Sequence, residues 1–279
     1  MSDISTFQRL HPRAYLQRFL DEHLRPDGRR PLDCRPLELT TGSISTADGS
    51  ALVRLGETTI VCGVKAEIAE PDLDAPTRGF IVPNVEISAI CAARFKPGPP
   101  SEEAQIISEQ LNQIIAKSKC LPLDSLCIEP RKAVWTIYID AVCINYDGNA
   151  LDATLLAMTT ALSNTQLPQA RYDDDKKMVL CSRMNKTPLA LKTLPTATTF
   201  GIFESKHLLV DPTSFEEPLL ESTVTVVLCG SEAISVSQVG LGRETSPSGQ
   251  SSTSLYTECI ELAQKRQAEI LRAVSQTNL

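Results

Sequence analysis

Three aspartates in the middle of the chain, Asp140, Asp147 and Asp152, lie close enough in sequence to suggest a metal-binding carboxylate cluster. Their context, a central strand followed by a turn, favours a different role. Buried charges persist only when they are paired or hydrogen-bonded, so we interpret the three side chains as structural acids. Asp211, which a Pro-Thr dipeptide follows, is typical of an acid that ends a strand at a turn.

The thiol and imidazole groups predict neither a zinc site nor a disulfide framework. The nine cysteines are scattered singly, mostly within apolar runs and without a CxxC motif, and there are only three histidines. This pattern is typical of buried, reduced thiols in a cytosolic or nuclear protein. We therefore expect no cofactor. The net charge of −7 argues against a free-standing nucleic-acid binder, so any such contact would need a local basic patch or a partner.

Two loops in the first half carry cations that could contact a phosphate backbone. Arg78 lies in the charged loop Glu70–Gly79, and Arg94 and Lys96 lie in the rigid, proline-rich segment Arg94–Pro100. Phosphate contacts by such residues would be independent of base sequence and sensitive to salt. Ordinary surface cations are an equally good interpretation of each.

The stretch from Val134 to Ala161 is the element around which the rest of the chain is organised. It opens with VWTIYIDAVCI, whose β-branched and aromatic residues predict a strand buried on both faces. Asp147 and Gly148 then predict a turn. The leucines and Met158 that follow recur at helical spacing, which predicts a mostly buried helix.

The order of strands followed by a helix occurs twice along the chain. A short helix, 11–23, precedes predicted strands at 37–39, 43–46, 51–55, 58–69 and 80–90, and Ser101 then caps a helix at 101–118. After a polar segment, 169–193, strands are predicted at 198–203, 208–210, 223–228 and 233–239, then a Gly/Ser-rich loop, 240–254, and an amphipathic helix from Ser254 to about Val274. We therefore expect an α/β (α+β) fold of two pseudo-repeated sheet-plus-helix halves, 1–168 and 169–279, packed into one compact unit through helices 101–118 and 150–163.

Four segments together resemble the RNase PH family, and they occur in the family's order over nearly the whole chain. They are RPDGR at 25–29, TADGSALVRLGETTIVCGVKAEI at 46–68, IDAVCINYDGNALDA at 139–153 and LLVDPTSFEE at 208–217. The segment PGPPSEEAQ and the tryptophan of AVWTIYID are similar to the non-catalytic branch of the RNase PH-like ring subunits of the eukaryotic RNA exosome. The resemblance implies an RNase PH-like fold of the ribosomal protein S5 domain 2-like type.

The resemblance also implies which residues correspond to the active site of catalytic members. Those enzymes degrade RNA from its 3′ end with phosphate as the nucleophile, which needs cationic or amide donors and nearby carboxylates. The implied carboxylates are Asp211 and Glu217. Trp135 stands where the resemblance places a phosphate-binding arginine, and Gly98–Pro100 replaces an arginine-rich segment. An indole carries no charge and donates one hydrogen bond, so we predict a catalytically inactive chain.

By the same resemblance, the chain is expected to be a non-catalytic core subunit of the exosome ring that supports 3′–5′ RNA processing and degradation by scaffolding and RNA channelling. The implied partners are other RNase PH-like ring subunits, S1/KH cap subunits, associated hydrolytic exoribonucleases and RNA, without a membrane, in the nucleus, nucleolus and cytoplasm. Arg78, Arg94 and Lys96 then become candidate RNA-binding residues. Two alternatives stay open: an active phosphorolytic 3′–5′ exoribonuclease with a relocated phosphate site, and a module that binds only proteins.

Two short apolar strands add an argument for assembly. Val53–Leu55 and Thr223–Leu228 are short and mostly apolar, with Arg54 as their single charge, and such strands are prone to association when they lie at open sheet edges. We expect a chain that is stable only within a ring.

Overall fold

Two β-sheets, a separate two-stranded ribbon and five α-helices make up the part of the chain that the structure, a computed structural model, describes: residues 2–240 and 252–277. The helices are α1 (Ser2–Leu10), α2 (Pro12–Asp21), α3 (Glu102–Ser118), α4 (Ala150–Ser163) and α5 (Ser252–Thr277). The strands are β1 (Leu37–Thr41), β2 (Gly49–Leu55), β3 (Thr58–Ala69), β4 (Phe80–Ile87), β5 (Cys127–Glu129), β6 (Ala133–Asn145), β7 (Gln166–Asp173), β8 (Met178–Pro188), β9 (Pro195–Phe203), β10 (His207–Val210), β11 (Ser222–Cys229) and β12 (Glu232–Gly240). Within these described ranges, no helix combines the length and hydropathy needed to cross a membrane.

The first sheet is built around β6, the long strand that the sequence predicts. Its order is β1-β2-β3-β6-β4, with β4 parallel to β6, the other neighbours antiparallel, and β5 paired with the start of β6. The prediction that this strand is buried on both faces is wrong for the second part of β6. Ile137 and Ile139 are buried, whereas Tyr138 and Ile144 are exposed. The reason is that helices cover only one face of this largely antiparallel sheet.

Helix α4 lies between the two sheets. Eleven of its fourteen residues are buried, and it packs against β2, β3 and β6 on one side and against β9 on the other. Its Ala and Thr residues are short, which lets both sheets approach the helix closely, while Leu155 and Met158 fill the core. The helix is therefore shared by both halves.

The second sheet has the antiparallel order β10-β9-β11-β12. Helix α5 packs on β9 and β11, where Leu255 and Cys259 join Phe200 and Val224 in a separate core cluster. Two sheet-plus-helix arrangements, not one continuous sheet, confirm the predicted fold class. The division at residue 168 stays a prediction.

Several predicted elements differ from those observed. Residues 43–46 form no strand, and α1 precedes the predicted first helix, which runs from Pro12 to Asp21. The polar segment 169–193 contains most of the β7–β8 ribbon, which we did not predict because β8 is almost entirely exposed and lacks an alternating apolar pattern. The predicted Gly/Ser-rich loop lies mostly outside the described residues, and α5 begins at Ser252.

The two apolar strands expected at open edges are interior strands. Val53–Leu55 belongs to β2, which lies between β1 and β3, and Thr223–Leu228 belongs to β11, which lies between β9 and β12. The expectation was wrong because strand order cannot be deduced from the composition of one strand. These segments therefore give no support for obligate assembly.

Candidate functional site

The turn between β6 and α4 packs directly against the segment that carries Asp211 and Glu217. Gly148 has φ +80°, and a Cβ there would lie 2.5 Å from the backbone nitrogen of Ser214, so only glycine fits. Asn149, with φ +54°, also has a left-handed backbone conformation and is the N-cap residue of α4. The predicted Asp147-Gly148 turn thus joins the two halves at one point, which we call the acid site.

Asp211 is held at the acid site by a buried arginine. The guanidinium of Arg35 donates from Nε to Oδ2 at 2.9 Å and from Nη2 to Oδ1 at 2.7 Å, and the side-chain amide of Asn149 donates to Oδ1 at 2.7 Å. Burial raises the pKa of Asp211, but the hydrogen bonds and charge of Arg35 outweigh it, so the pKa lies below its ordinary value of 3.8. Asp211 is 3% exposed and ionised, with its oxygens occupied.

Glu217 caps the N-terminus of α4. Its Oε1 accepts the backbone N–H of Asn149 at 2.7 Å, and its Oε2 accepts the hydroxyl of Tyr146 at 2.8 Å. Burial raises the pKa of Glu217 above 4.5, although both hydrogen bonds oppose the shift. A helix N-terminus attracts anions through its free N–H groups and its dipole. Here a carboxylate of the chain itself takes that position.

Asp152 is the third carboxylate of the acid site. It accepts the side-chain amide of Asn149 at 2.9 Å, and the backbone N–H and hydroxyl of Thr199 at 2.7 and 2.8 Å. Burial raises its pKa to about 6, against the lowering effect of these hydrogen bonds. Asn149 therefore contacts all three acids, since a side-chain amide has two hydrogens and its backbone N–H binds Glu217.

A cation lies beside the acid site but is already paired. The Nη2 atom of Arg94 donates to both oxygens of Glu103 at 2.9 and 3.0 Å, and its guanidinium lies 4.2 Å from the ring centre of Tyr146. Glu103 also accepts the Tyr146 hydroxyl at 2.9 Å. Burial, followed by the charges of Glu217 and Glu103, raises the pKa of Tyr146.

The aspartates suggested as a metal cluster are separated and hydrogen-bonded. Asp140 accepts the side-chain amide of Asn84 at 3.2 Å, and Asp147 accepts the hydroxyl of Ser214 at 2.6 Å. In residues 2–240 and 252–277, no group of three or more His, Cys, Asp or Glu side chains is placed to hold a metal ion. These contacts agree with the interpretation of structural acids.

Trp135 does not lie at the acid site. It stands near the start of β6, opposite Ile68 of β3, ten residues before Asn145 at the strand's end. A strand rises about 3.3 Å per residue, so Trp135 is roughly 30 Å from the turn. Placing a phosphate-binding residue at this position was therefore wrong, and Trp135 is a core aromatic with 7% of its surface exposed. The segment Gly98–Pro100 does precede α3, whose first turn reaches the site through Glu103.

The three predicted RNA-binding cations do not form one patch. Arg78 precedes β4, whereas Arg94 and Lys96 follow it, and an eight-residue strand separates its ends by about 25 Å. Arg78 lies 4.0 Å from Asp124, and Arg94 is bound as described above. Lys96 is exposed.

Sequence reasoning missed the buried arginines. Arg25 is fully buried and donates from Nε to Oε1 of Glu216 at 2.8 Å and from Nη1 to the carbonyl of Val210 at 2.7 Å. The RPDGR segment predicts a turn but not its burial. Glu216 and Asp211, the carboxylates that bind Arg25 and Arg35 most closely, lie in the second half of the chain, and no local pattern reveals such pairings.

Comparison with known proteins agrees with this fold. The models of the 3′ exoribonuclease family match residues 33–168 (RNase PH, domain 1) and 193–266 (domain 2). The chain is 40% identical over 263 residues to exosome complex component rrp43 of Schizosaccharomyces pombe, covering 94% of each, and 35% identical over 250 residues to Rrp42 of Methanopyrus kandleri, covering 90% of each.

Solved structures give the same result. A chain of the Archaeoglobus fulgidus exosome with RNA bound to the active site superposes with a TM-score of 0.78 at 30% identity, covering 92% of this chain and 96% of that one. A chain of an archaeal exosome core superposes with a TM-score of 0.75 at 28% identity, covering 97% and 99%. With the two family models spanning most of its length, the chain belongs to the RNase PH family of 3′ exoribonucleases.

Proposed function

We propose that this chain is a ring subunit of an exosome-type complex, which supports 3′–5′ RNA processing and degradation without catalysing phosphorolysis itself. Two relatives named as exosome components match it over 90% or more of both chains, so the likeness to them is that of whole subunits. The proposed partners are RNase PH-like neighbours in the ring, S1/KH cap subunits, hydrolytic exoribonucleases and RNA. The proposed location is the nucleus, nucleolus and cytoplasm.

The carboxylate of Glu217 on the N–H of Asn149, at the N-terminus of α4, is the observation that carries the proposal of inactivity. Phosphorolysis needs a phosphate anion held by cationic or amide donors. At the acid site the N–H of Asn149 already binds Glu217, Arg35 is committed to Asp211, and Arg94 is committed to Glu103. A phosphate that binds the N–H of Asn149 would have to displace Glu217 and would lie among other acids, which electrostatic repulsion opposes.

We expect the purified chain to release no nucleoside diphosphate from RNA in the presence of phosphate. The assay uses an oligoribonucleotide labelled at its 5′ end, with and without phosphate, for the chain alone and within the assembled ring. Phosphate-dependent shortening of the RNA by the chain alone would support the alternative of an active exoribonuclease.

Replacing Glu217 by alanine is expected to expose the N–H group of Asn149 and create a phosphate site. Phosphate should then raise the free energy of unfolding of Glu217→Ala, by about 1.4 kcal/mol at tenfold its dissociation constant, and leave the unmodified chain unchanged. Thermal unfolding in phosphate and in chloride at equal ionic strength measures this. Glu261→Ala, at an exposed position on α5, is the control. If phosphate stabilises Glu217→Ala and the unmodified chain equally, or stabilises neither, the interpretation that Glu217 occupies the site is contradicted.

For RNA guidance, we propose that Arg78, Arg94 and Lys96 contact the phosphate backbone. Lys96→Glu is expected to weaken RNA binding by the assembled ring, most at low salt, while leaving the assembly intact. Arg94→Glu should also disturb the contacts with Glu103 and Tyr146. RNA affinity as a function of salt, with Lys265→Glu on α5 as the control, measures the effect. Equal affinities for Lys96→Glu and the control would favour the protein-only module, as would a lack of RNA crosslinks to this chain.

A further inference from the structure

In the part of the chain that the structure describes, the outward face of the β7–β8 ribbon is exposed. One face of the ribbon is turned to the body of the protein, where Lys132 lies 4.8 Å from the ring centre of Tyr172 and a groove of about 600 Å³ separates Cys181 from Trp135. On the other face, Met178 and Leu180 are 51% and 48% exposed. Isolated two-stranded ribbons are marginally stable in water, and neither side chain belongs to the described hydrophobic clusters.

The ribbon also has an open edge of limited length. Within residues 2–240 and 252–277, β8 pairs with β7 alone. Pro168 pairs with Lys186 and Gln169 with Ser182, so residues 183–185 bulge out of the ladder. Met184, in this bulge, is 93% exposed. The bulge leaves the five residues Met178–Ser182 as a continuous edge, without the proline or charge that protects many edge strands.

The charge of this region is opposite to that of the chain. Residues 166–188, which form the ribbon, carry five cations and three aspartates, a net charge of +2, although the net charge of the whole protein is −7. Of these cations, Lys176 lies 3.9 Å from Asp173. Lys176, Lys177 and Lys186 are exposed. An acidic partner would be attracted here and repelled elsewhere on the surface.

We propose that β8 is a docking edge for a short, acidic, extended segment of another protein. The segment pairs with the backbone of Met178–Ser182, as in strand addition to an open sheet. Its apolar side chains contact Leu180 and Met184, since methionine adapts to varied partners. Its carboxylates lie near Lys177 and Lys186. This inference goes beyond the proposed ring function and does not depend on RNA.

A phage-displayed library of random twelve-residue peptides, selected against the full chain in the assembly in which it purifies, tests the proposal. Acidic peptides with apolar residues at alternate positions should be enriched. Leu180→Glu and Met184→Glu, both at exposed positions, should each weaken binding of the selected peptides by about tenfold, and Lys186→Glu should weaken it most at low salt. Val239→Glu, at a 63% exposed position on the edge strand β12, is the matched control and should change binding less than about twofold.

Several outcomes would overturn the proposal. They are a selection without binders, selected peptides without acidic residues, and binding that survives the substitutions at Leu180 and Met184. If the same substitutions instead weaken binding of a twenty-nucleotide oligouridine, the ribbon is an RNA surface. If they change the native mass of the assembly, its occupant is a ring subunit or a second copy of this chain.

Discussion

Replacing Arg35 by methionine is expected to lower the free energy of unfolding by about 3–5 kcal/mol, because a buried carboxylate loses its charged partner. Arg35 and Asp211 are 5% and 3% exposed, and Arg35 also donates to the carbonyls of Asp147 and Gly148 at 2.6 and 3.2 Å. Urea unfolding followed by the fluorescence of the single tryptophan, Trp135, measures the change.

A matched control and a double variant sharpen this test. Arg54→Met removes an exposed arginine that lies 3.5 Å from Glu38 and should change the free energy of unfolding by less than about 0.5 kcal/mol. Combining Arg35→Met with Asp211→Asn should recover part of the loss, since no unpaired charge is then buried. A loss in Arg35→Met no larger than in Arg54→Met would contradict the structural role of the pair.

The loss of unfolding free energy in Arg35→Met should depend on pH in a defined direction. The pKa of Asp211 is lowered below 3.8 in the folded protein, so its contribution is fully present above about pH 5 and is lost as the pH falls through the folded pKa. Without the charge and side-chain hydrogen bonds of Arg35, the effect of burial is opposed less, so the pKa of Asp211 rises and protonation relieves the unpaired charge. The difference in unfolding free energy between the two proteins should therefore shrink as the pH falls from 7 towards 4.

Replacing Arg25 by methionine is expected to cost a similar amount, about 3–5 kcal/mol. Arg25 and Glu216 are 0% and 1% exposed, and Glu216 also accepts the backbone N–H of Thr213 at 2.8 Å. A double-mutant cycle with Glu216→Gln should give an interaction energy within roughly 0.5–3 kcal/mol. Arg13→Met, which removes a half-exposed partner of Glu221 at 3.3 Å, is the control. Additive effects of the two single substitutions would show that the ion pair does not couple the residues.

The elements predicted well are those with strong hydrophobic periodicity. The predicted helix 101–118 agrees with α3 to within one residue, and the hydroxyl of Ser101 accepts the N–H of Ala104 at 3.2 Å as a helix cap. Strand β3 has the predicted bounds, Thr58–Ala69. The β7–β8 ribbon escaped prediction because its exposed strand buries no alternating apolar face, and that face is the signal by which strands are recognised.

The acid site was predicted in part. The turn at Gly148 and the pair Asp211 and Glu217 followed from turn chemistry and from the family resemblance. Their partners did not, because Arg35 and Asp211 are 176 residues apart and meet only through the packing of the two halves. The misplacement of Trp135 has a related cause: sequence matching placed it at the start of β6, whereas the acids lie at the end of that strand.

The position of α4 between two sheets has a consequence for synthesis of the chain. The ribosome completes α4 at Ser163. It completes β9, the strand of the second sheet that packs on the other side of α4, only at Phe203, 40 residues later. At translation rates of about 5–20 residues per second, the helix would wait roughly 2–8 s with one side uncovered. During that interval an Ala- and Leu-rich surface is available to chaperones, so a pause in translation after α4 has left the ribosome and before β9 has done so would prolong the period in which the nascent chain can aggregate.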